Sequence, residues 1–326
     1  MFAKWLNRAS RALDYLPHQK NPWKSSAMSV TLGEQFAYGH ADALLRYIGA
    51  KTGFSIWAYV PHGGWHPFWP PFYEREYVTK RRTPLGKEIP QLLWNAEWAD
   101  RARLLGAKQA HVIGAPWLYE LMNDGVVPFA EVTQSGTANS QTRGLYIPSH
   151  SIEVEDVQLE STLERVTSTL NPSEFDILLG WLDYVNPRIR RGFEEAGYRL
   201  FCAGFRSSAI YTPWSPAGGR AQFLSNFRRI VEHRPIVVAD DLTTACLYSA
   251  SINVRVHIVP HLFYKKAVAP NFLSAREAYL RDQFAWMYDG EDPRGHHGQI
   301  KEYLGFPHLL SPSELRNLIQ LVPIPE

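Results

Sequence analysis

The chain has 326 residues, of which 45% are hydrophobic and 20% charged, and carries a net charge of +2. That length exceeds one small core and suits two α/β domains. No apolar run reaches the roughly 18 residues of a membrane-spanning helix, and so small a net charge argues against nucleic acid as a partner.

In chain order, residues 1–30 lack the continuous apolar core and cleavage site of a secretory signal, so a cytoplasmic protein is expected. Within residues 1–24, Phe2, Trp5, Leu6, Leu13 and Leu16 recur at helical spacing, and Lys4, Arg8, Arg11, Lys20 and Lys24 supply cations. Such a segment would make peripheral contact with anionic headgroups on the inner membrane face, or pack on its own protein. Residues 35–48 and 89–105 read as helices, and 54–60 and 109–113 as short apolar strands. Together they predict a first domain over 1–130. Residues 131–143 are rich in Thr, Ser, Gln and Asn without periodicity and read as a linker.

A second domain is predicted over 144–270. Its strands are expected at 144–148, 176–182, 199–203, 236–239 and 254–259, and its helices at 155–170, 188–196, 222–231 and 243–251. Gly197 stands where a helix C′ residue belongs, and the strand-helix-strand rhythm implies a parallel sheet. Helices at 274–288, 298–304 and 311–321 are expected to brace the two domains from the tail, 271–326. Cys202 and Cys246 are the only cysteines, and both lie in apolar runs. They read as reduced packing thiols.

Three strand ends carry candidate chemistry. The run Val237-Val238-Ala239-Asp240-Asp241-Leu242-Thr243-Thr244 passes from a buried strand into a helix that opens with hydroxyl residues. At such a junction the first helical amides and the helix dipole favour phosphate, so Asp241, Thr243 and Thr244 are candidate nucleotide contacts. The alternative is simple N-capping by Asp241 or Thr243. In Tyr59-Val60-Pro61-His62-Gly63-Gly64-Trp65-His66-Pro67, the glycines admit a ligand close to backbone, and His62 is placed to take a proton from an acceptor hydroxyl. Gly63, Trp65 and His66 would line the acceptor side. The alternative is a loop whose imidazoles satisfy backbone groups. His62 and His66 have a helical metal-ligand spacing, yet two glycines and Pro67 oppose a helix and no third ligand is evident, so no metal is expected. Ser149, His150 and Ser151 close the strand that begins at Gly144 and would bind phosphate or ribose. Arg206, after another strand, would clamp a diphosphate or an anionic sugar, or else pair with a surface carboxylate. Aromatic residues make up 13% of the chain, with eleven Trp, enough to supply faces for sugar rings as well as core.

The order of these segments resembles glycosyltransferase-like proteins of bacterial O-antigen and capsule synthesis. The resemblance rests on His62-Gly63-Gly64-Trp65, Ile113-Gly114-Ala115-Pro116-Trp117-Leu118-Tyr119, Pro148-Ser149-His150-Ser151, and the run from Asp241 to Ser249. It continues in the tail, through Tyr303-Leu304-Gly305-Phe306 and Leu310-Ser311-Pro312-Ser313-Glu314-Leu315. More distantly the layout is similar to the polyol-phosphate polymerases of teichoic acid synthesis and to bacterial sialyltransferases. It departs from them in Gly64 and in Thr243-Thr244, where two serines often stand.

The resemblance implies a GT-B fold of two Rossmann-like lobes with a central cleft and C-terminal helices. It also implies metal-independent sugar transfer from a nucleotide-sugar donor to a glycan or lipid-linked acceptor, with roles for His62, His150, Thr243 and Thr244 and no cofactor. The alternatives are a nucleotide-sugar epimerase or hydrolase of the same fold and a non-catalytic glycan-binding subunit.

Overall fold

The computed structural model describes residues 37–50, 54–56, 58–61, 90–104, 106–130, 143–148, 156–204, 222–260, 262, 278–279, 281–319 and 321–323. The amphipathic segment 1–24, the polar stretch 131–142 and the candidate residues His62, Gly63, Trp65, His66, Ser149, His150, Ser151 and Arg206 lie outside them.

The described elements are α1 (His40–Tyr47), β1 (Phe54–Ile56), β2 (Gln91–Leu93), α2 (Ala96–Leu104), β3 (Ala110–Val112), α3 (Pro116–Asn123), β4 (Gly144–Ile147), α4 (Asp156–Thr169), β5 (Phe175–Leu178) and α5 (Trp181–Tyr184). They continue with α6 (Pro187–Glu195), β6 (Leu200–Phe201), α7 (Phe223–Val231), β7 (Ile236–Ala239), α8 (Thr244–Ser251), β8 (Arg255–Ile258), α9 (Ala285–Tyr288), α10 (His297–Leu304), α11 (Pro312–Leu318) and β9 (Leu321–Pro323). Two compact units result. One comprises described residues within Phe129–Gly204 and Asn226–His297, the other those within Arg8–Pro128, Phe205–Ser225 and Gly298–Glu326. No described helix is long and apolar enough to cross a membrane.

The first of these units holds a five-stranded sheet in the order β6-β5-β4-β7-β8. Every pairing in it is parallel. Numbered along the chain, the strands run 3-2-1-4-5, the doubly wound α/β arrangement. Tyr146, Ile177 and Val238 share one face and pack against Leu159 and Val166 of α4 and Ile189 and Phe193 of α6. Local signals set the helix ends. Asn186 caps α6 by accepting from the Arg188 amide at 3.1 Å, with Pro187 at the first helical position. At its other end Gly197 takes φ +92, while its amide donates to the Glu194 carbonyl and that of Tyr198 to the Phe193 carbonyl, both at 3.0 Å. This paired closure needs a left-handed residue, which glycine supplies without strain.

At the amino edge of the sheet, Asp176 of β5 is fully buried and meets three guanidinium groups. Arg143 Nε lies 3.1 Å away, Arg199 Nη2 2.7 Å and Arg234 Nη1 2.5 Å. Arg143 also donates to the Pro172 and Phe175 carbonyls, and Arg234 to the Ile230 and Arg143 carbonyls. Arg199 and Arg234 both rest on the Phe201 ring, at 4.9 and 5.0 Å. Asp176 belongs to β5, while the three arginines sit just ahead of β4, β6 and β7, so one carboxylate ties four adjacent strands.

In the other unit β2 and β3 pair in parallel, and Tyr59 bridges Gln91 in parallel on the far side of β2. The core gathers Ala41, Leu44 and Ile48 with Ile56, Val60, Leu92, Ile113, Tyr119 and Leu315. On α3 the buried Glu120 carboxylate accepts from Arg46 of α1 and, at 2.6 Å, from the Ser225 hydroxyl.

Three expectations need correction. The predicted helix 89–105 opens with β2, whose three residues are all buried, and α2 starts only after Asn95 accepts from the Trp98 amide at 3.0 Å. The predicted strand 176–182 ends at Leu178 and passes through Gly180 into α5, because an apolar run alone does not separate a strand from a short buried helix. The predicted strand 54–60 is cut to β1, which pairs antiparallel with β9 beyond the expected last helix.

Candidate functional site

The strand order reverses between β4 and β7. From β4 the chain moves toward β5 and β6, whereas from β7 it moves toward β8. Connections that leave neighbouring strands in opposite directions open a crevice at their carboxyl ends, the usual ligand position in such sheets. Register places Ile147 beside Ala239, so Pro148 and Asp240 stand together at that edge. Asp241, Thr243 and Thr244 follow β7 at that edge, whereas Ser149, His150 and Ser151, next after Pro148 in the sequence, lie outside the described residues.

Thr243 is the residue that precedes α8, with extended φ −119 and ψ 167, yet its side chain makes no capping hydrogen bond. Its hydroxyl lies 3.6 Å from Cys246 Sγ instead, and that thiol also approaches the Asp241 carbonyl at 3.6 Å. The N-capping alternative is thus not realised by Thr243. Thr243, Thr244 and Ala245 are half-buried, which leaves the first turn of α8 within reach of solvent. Cys246 is fully buried, and burial pushes its thiol up to about 11, so it stays a neutral packing group. Cys202, like Cys246, is free. The rest of the 241–249 segment serves the helix: Ser249 donates to the Ala245 carbonyl at 2.7 Å, and Tyr248 packs edge-on to Phe227.

Sequence reasoning passed over Tyr146, the penultimate residue of β4. Its ring is buried, and its hydroxyl has no hydrogen-bond partner among the described residues. Burial, then the charges of Asp240 and Tyr198, push it well above the ordinary tyrosine range. Only its position beside a strand end could have marked it.

The resembling segments 113–119 and 303–315 have a structural job. Tyr119 donates to the Ile113 carbonyl at 2.5 Å and accepts from the Leu310 amide at 3.0 Å. Asn95 donates to the Tyr303 carbonyl at 2.9 Å, and the Ala115 amide to that of Leu304 at 2.8 Å, which satisfies the end of α10. Gly305 then crosses the Trp94 carbonyl with φ +69, so close that a β-carbon would collide with it. Ser311 and Glu314 form a reciprocal capping box on α11.

Near the His62 segment the described chain ends at Pro61, whose carbonyl accepts from the buried His40 imidazole. Burial pushes that ring down to about 3 and keeps it neutral. Among the described residues no group of three or more His, Cys, Asp or Glu side chains gathers as a metal set.

No family model matches the chain, and no curated protein matches its sequence. Among solved structures it is similar to an S. aureus MnaA-UDP co-structure, with a TM-score of 0.33 and 10% identity over 65% of this chain. The match spans 57% of that chain. A likeness of that size leaves the mixed α/β fold to be read from the strand order itself.

Proposed function

We propose that this protein is a metal-independent GT-B-type glycosyltransferase of bacterial surface polysaccharide synthesis, taking a nucleotide-sugar as donor and a glycan or lipid-linked acceptor. The observation that carries this reading is the reversal of strand order between β4 and β7, with a hydroxyl-bearing helix start directly after β7. Two kinds of group stand there, and they suit different parts of a nucleotide-sugar. The amides that open α8, with Thr243 and Thr244, favour the diphosphate. The carboxylates of Asp240 and Asp241 repel phosphate and suit hydroxyl donors on ribose or sugar. Ser149, His150, Ser151 and Arg206 complete the donor contacts in this reading.

In the transfer, an acceptor oxygen forms a bond to the anomeric carbon as the bond to the donor phosphate breaks. The proton of the acceptor hydroxyl goes to His62, flanked by Gly63, Trp65 and His66, and the electron pair leaves with the nucleotide's phosphate. Charge on that leaving group is stabilised by the α8 amides.

The test is titration calorimetry with CMP, CDP, UDP and GDP on the wild-type protein and on Thr243→Ala/Thr244→Ala. At least one nucleotide should bind, and the double variant should weaken it by about tenfold or more, the worth of at least one hydrogen bond to a charged group. Unchanged affinity in the variant, or no binding to the wild-type protein, refutes the assignment. Turnover of a bound nucleotide-sugar without acceptor would point to an epimerase or hydrolase instead.

A further inference from the structure

Tyr146 lies on the face of the sheet that packs against α4 and α6, and Asp240 follows directly after β7. Register sets Tyr146 beside Val238, so Asp240, two residues on, is its diagonal neighbour across the β4/β7 gap. Strand spacing and rise put such a pair about 8 Å apart between Cα atoms, which a tyrosine side chain can largely span. Both side chains are withdrawn from solvent, with Asp240 only 7% exposed. A buried hydroxyl without a partner destabilises the fold, a cost that a ligand could relieve. The pair lies beneath the carboxyl ends of β4 and β7, the edge at which such sheets bind ligands.

We propose that the Tyr146 hydroxyl is a binding group that reads an alcohol of the ligand, accepted between it and the Asp240 carboxylate. The alcohol would accept from Tyr146 and donate to Asp240, a dual role that phosphate oxygens cannot fill. Burial holds the phenol above its ordinary range, so it remains a donor at every working pH. The ligand alcohol belongs either to the ribose or to the transferred sugar. This inference rests on the nucleotide-sugar reading above.

The experiment compares wild type, Tyr146→Phe and Thr162→Val by thermal melting and by calorimetry with CDP, UDP and GDP and with CDP-glucose, UDP-glucose and GDP-mannose. Thr162 of α4 carries another fully buried hydroxyl without a partner among the described residues, and serves as the matched control. Both variants should melt at or above the wild-type temperature, since each loses an unsatisfied group. Only Tyr146→Phe should lose affinity, by about tenfold. A loss already seen with the bare diphosphate assigns the ribose, and one confined to the conjugates assigns the sugar. Wild-type binding that Tyr146→Phe leaves unchanged overturns this inference alone, whereas a wild-type protein that binds none of the six overturns the nucleotide reading with it. A clear drop in melting temperature for Tyr146→Phe would show that the hydroxyl serves folding, and would also overturn it.

Discussion

Gly305→Ala tests the clasp between residues 94–115 and the end of α10. The new β-carbon would stand 2.7 Å from the Trp94 carbonyl carbon, with the oxygen nearer still, and 3.0 Å from the Gly114 Cα. Comfortable carbon contacts are about 3.5–4.0 Å, and the oxygen is closer than the carbon, so one backbone must move by more than about an ångström. Three costs follow. The left-handed conformation costs alanine about 1–2 kcal/mol, overpacking about 1–3, and the two hydrogen bonds beside it, to the Tyr303 and Leu304 carbonyls, about 1 each if lost. Gly125→Ala isolates the first term, because Gly125 has φ +70 and nothing within 4 Å of its added β-carbon. The difference between the variants should therefore be about 3 kcal/mol or more. In a domain of about 150–250 residues that is a melting temperature lower by about 6 °C or more. Thermal unfolding followed by circular dichroism gives the comparison. Equal losses in both variants would show that the close approach costs nothing and would refute the clasp.

Asp176→Asn should destabilise the five-stranded unit by about 3–5 kcal/mol in urea denaturation, since it strands buried guanidinium charge. Arg199→Ala, at a side chain 60% exposed, should cost under about 1 kcal/mol, and a reversed ranking would contradict the arrangement. For His40, the folded value near 3 lies below the unfolded 6.5, so the unfolded chain binds the extra proton. Its contribution is complete above pH 6.5 and is lost as pH falls toward 3, by up to about 1.4 kcal/mol per pH unit. Stability measured against pH should fall more steeply for wild type than for His40→Gln over that window, and parallel curves would exclude the assignment.

Much of the five-stranded unit was legible because each strand is followed by a helix with its own punctuation: Asn186 and Gly197 frame α6, and Ile236–Ala239 stands out as an apolar run. Strands β2 and β9 were not, since three residues carry no period and β9 exists only through β1, more than 260 residues away. The strand order itself is a tertiary fact, and with it the meeting of the β4 and β7 ends. Of the candidate residues, Asp241, Thr243 and Thr244 occupy the strand-to-helix junction that the sequence indicated. Tyr146 was missed because an aromatic residue in an apolar strand reads as core, and an unsatisfied hydroxyl appears only when its surroundings are known. The segments at 113–119 and 303–315 stood out in sequence, and they hold each other.

The knot of guanidinium groups around Asp176 divides labour across the sheet. Its grip on four strands comes from charge at one rim, independent of the apolar layers and distant from the loops at the other rim. Those loops can therefore be rewritten, by drift or by design, while the strands that carry them keep their order. A scaffold tethered from below leaves its upper edge open to variation.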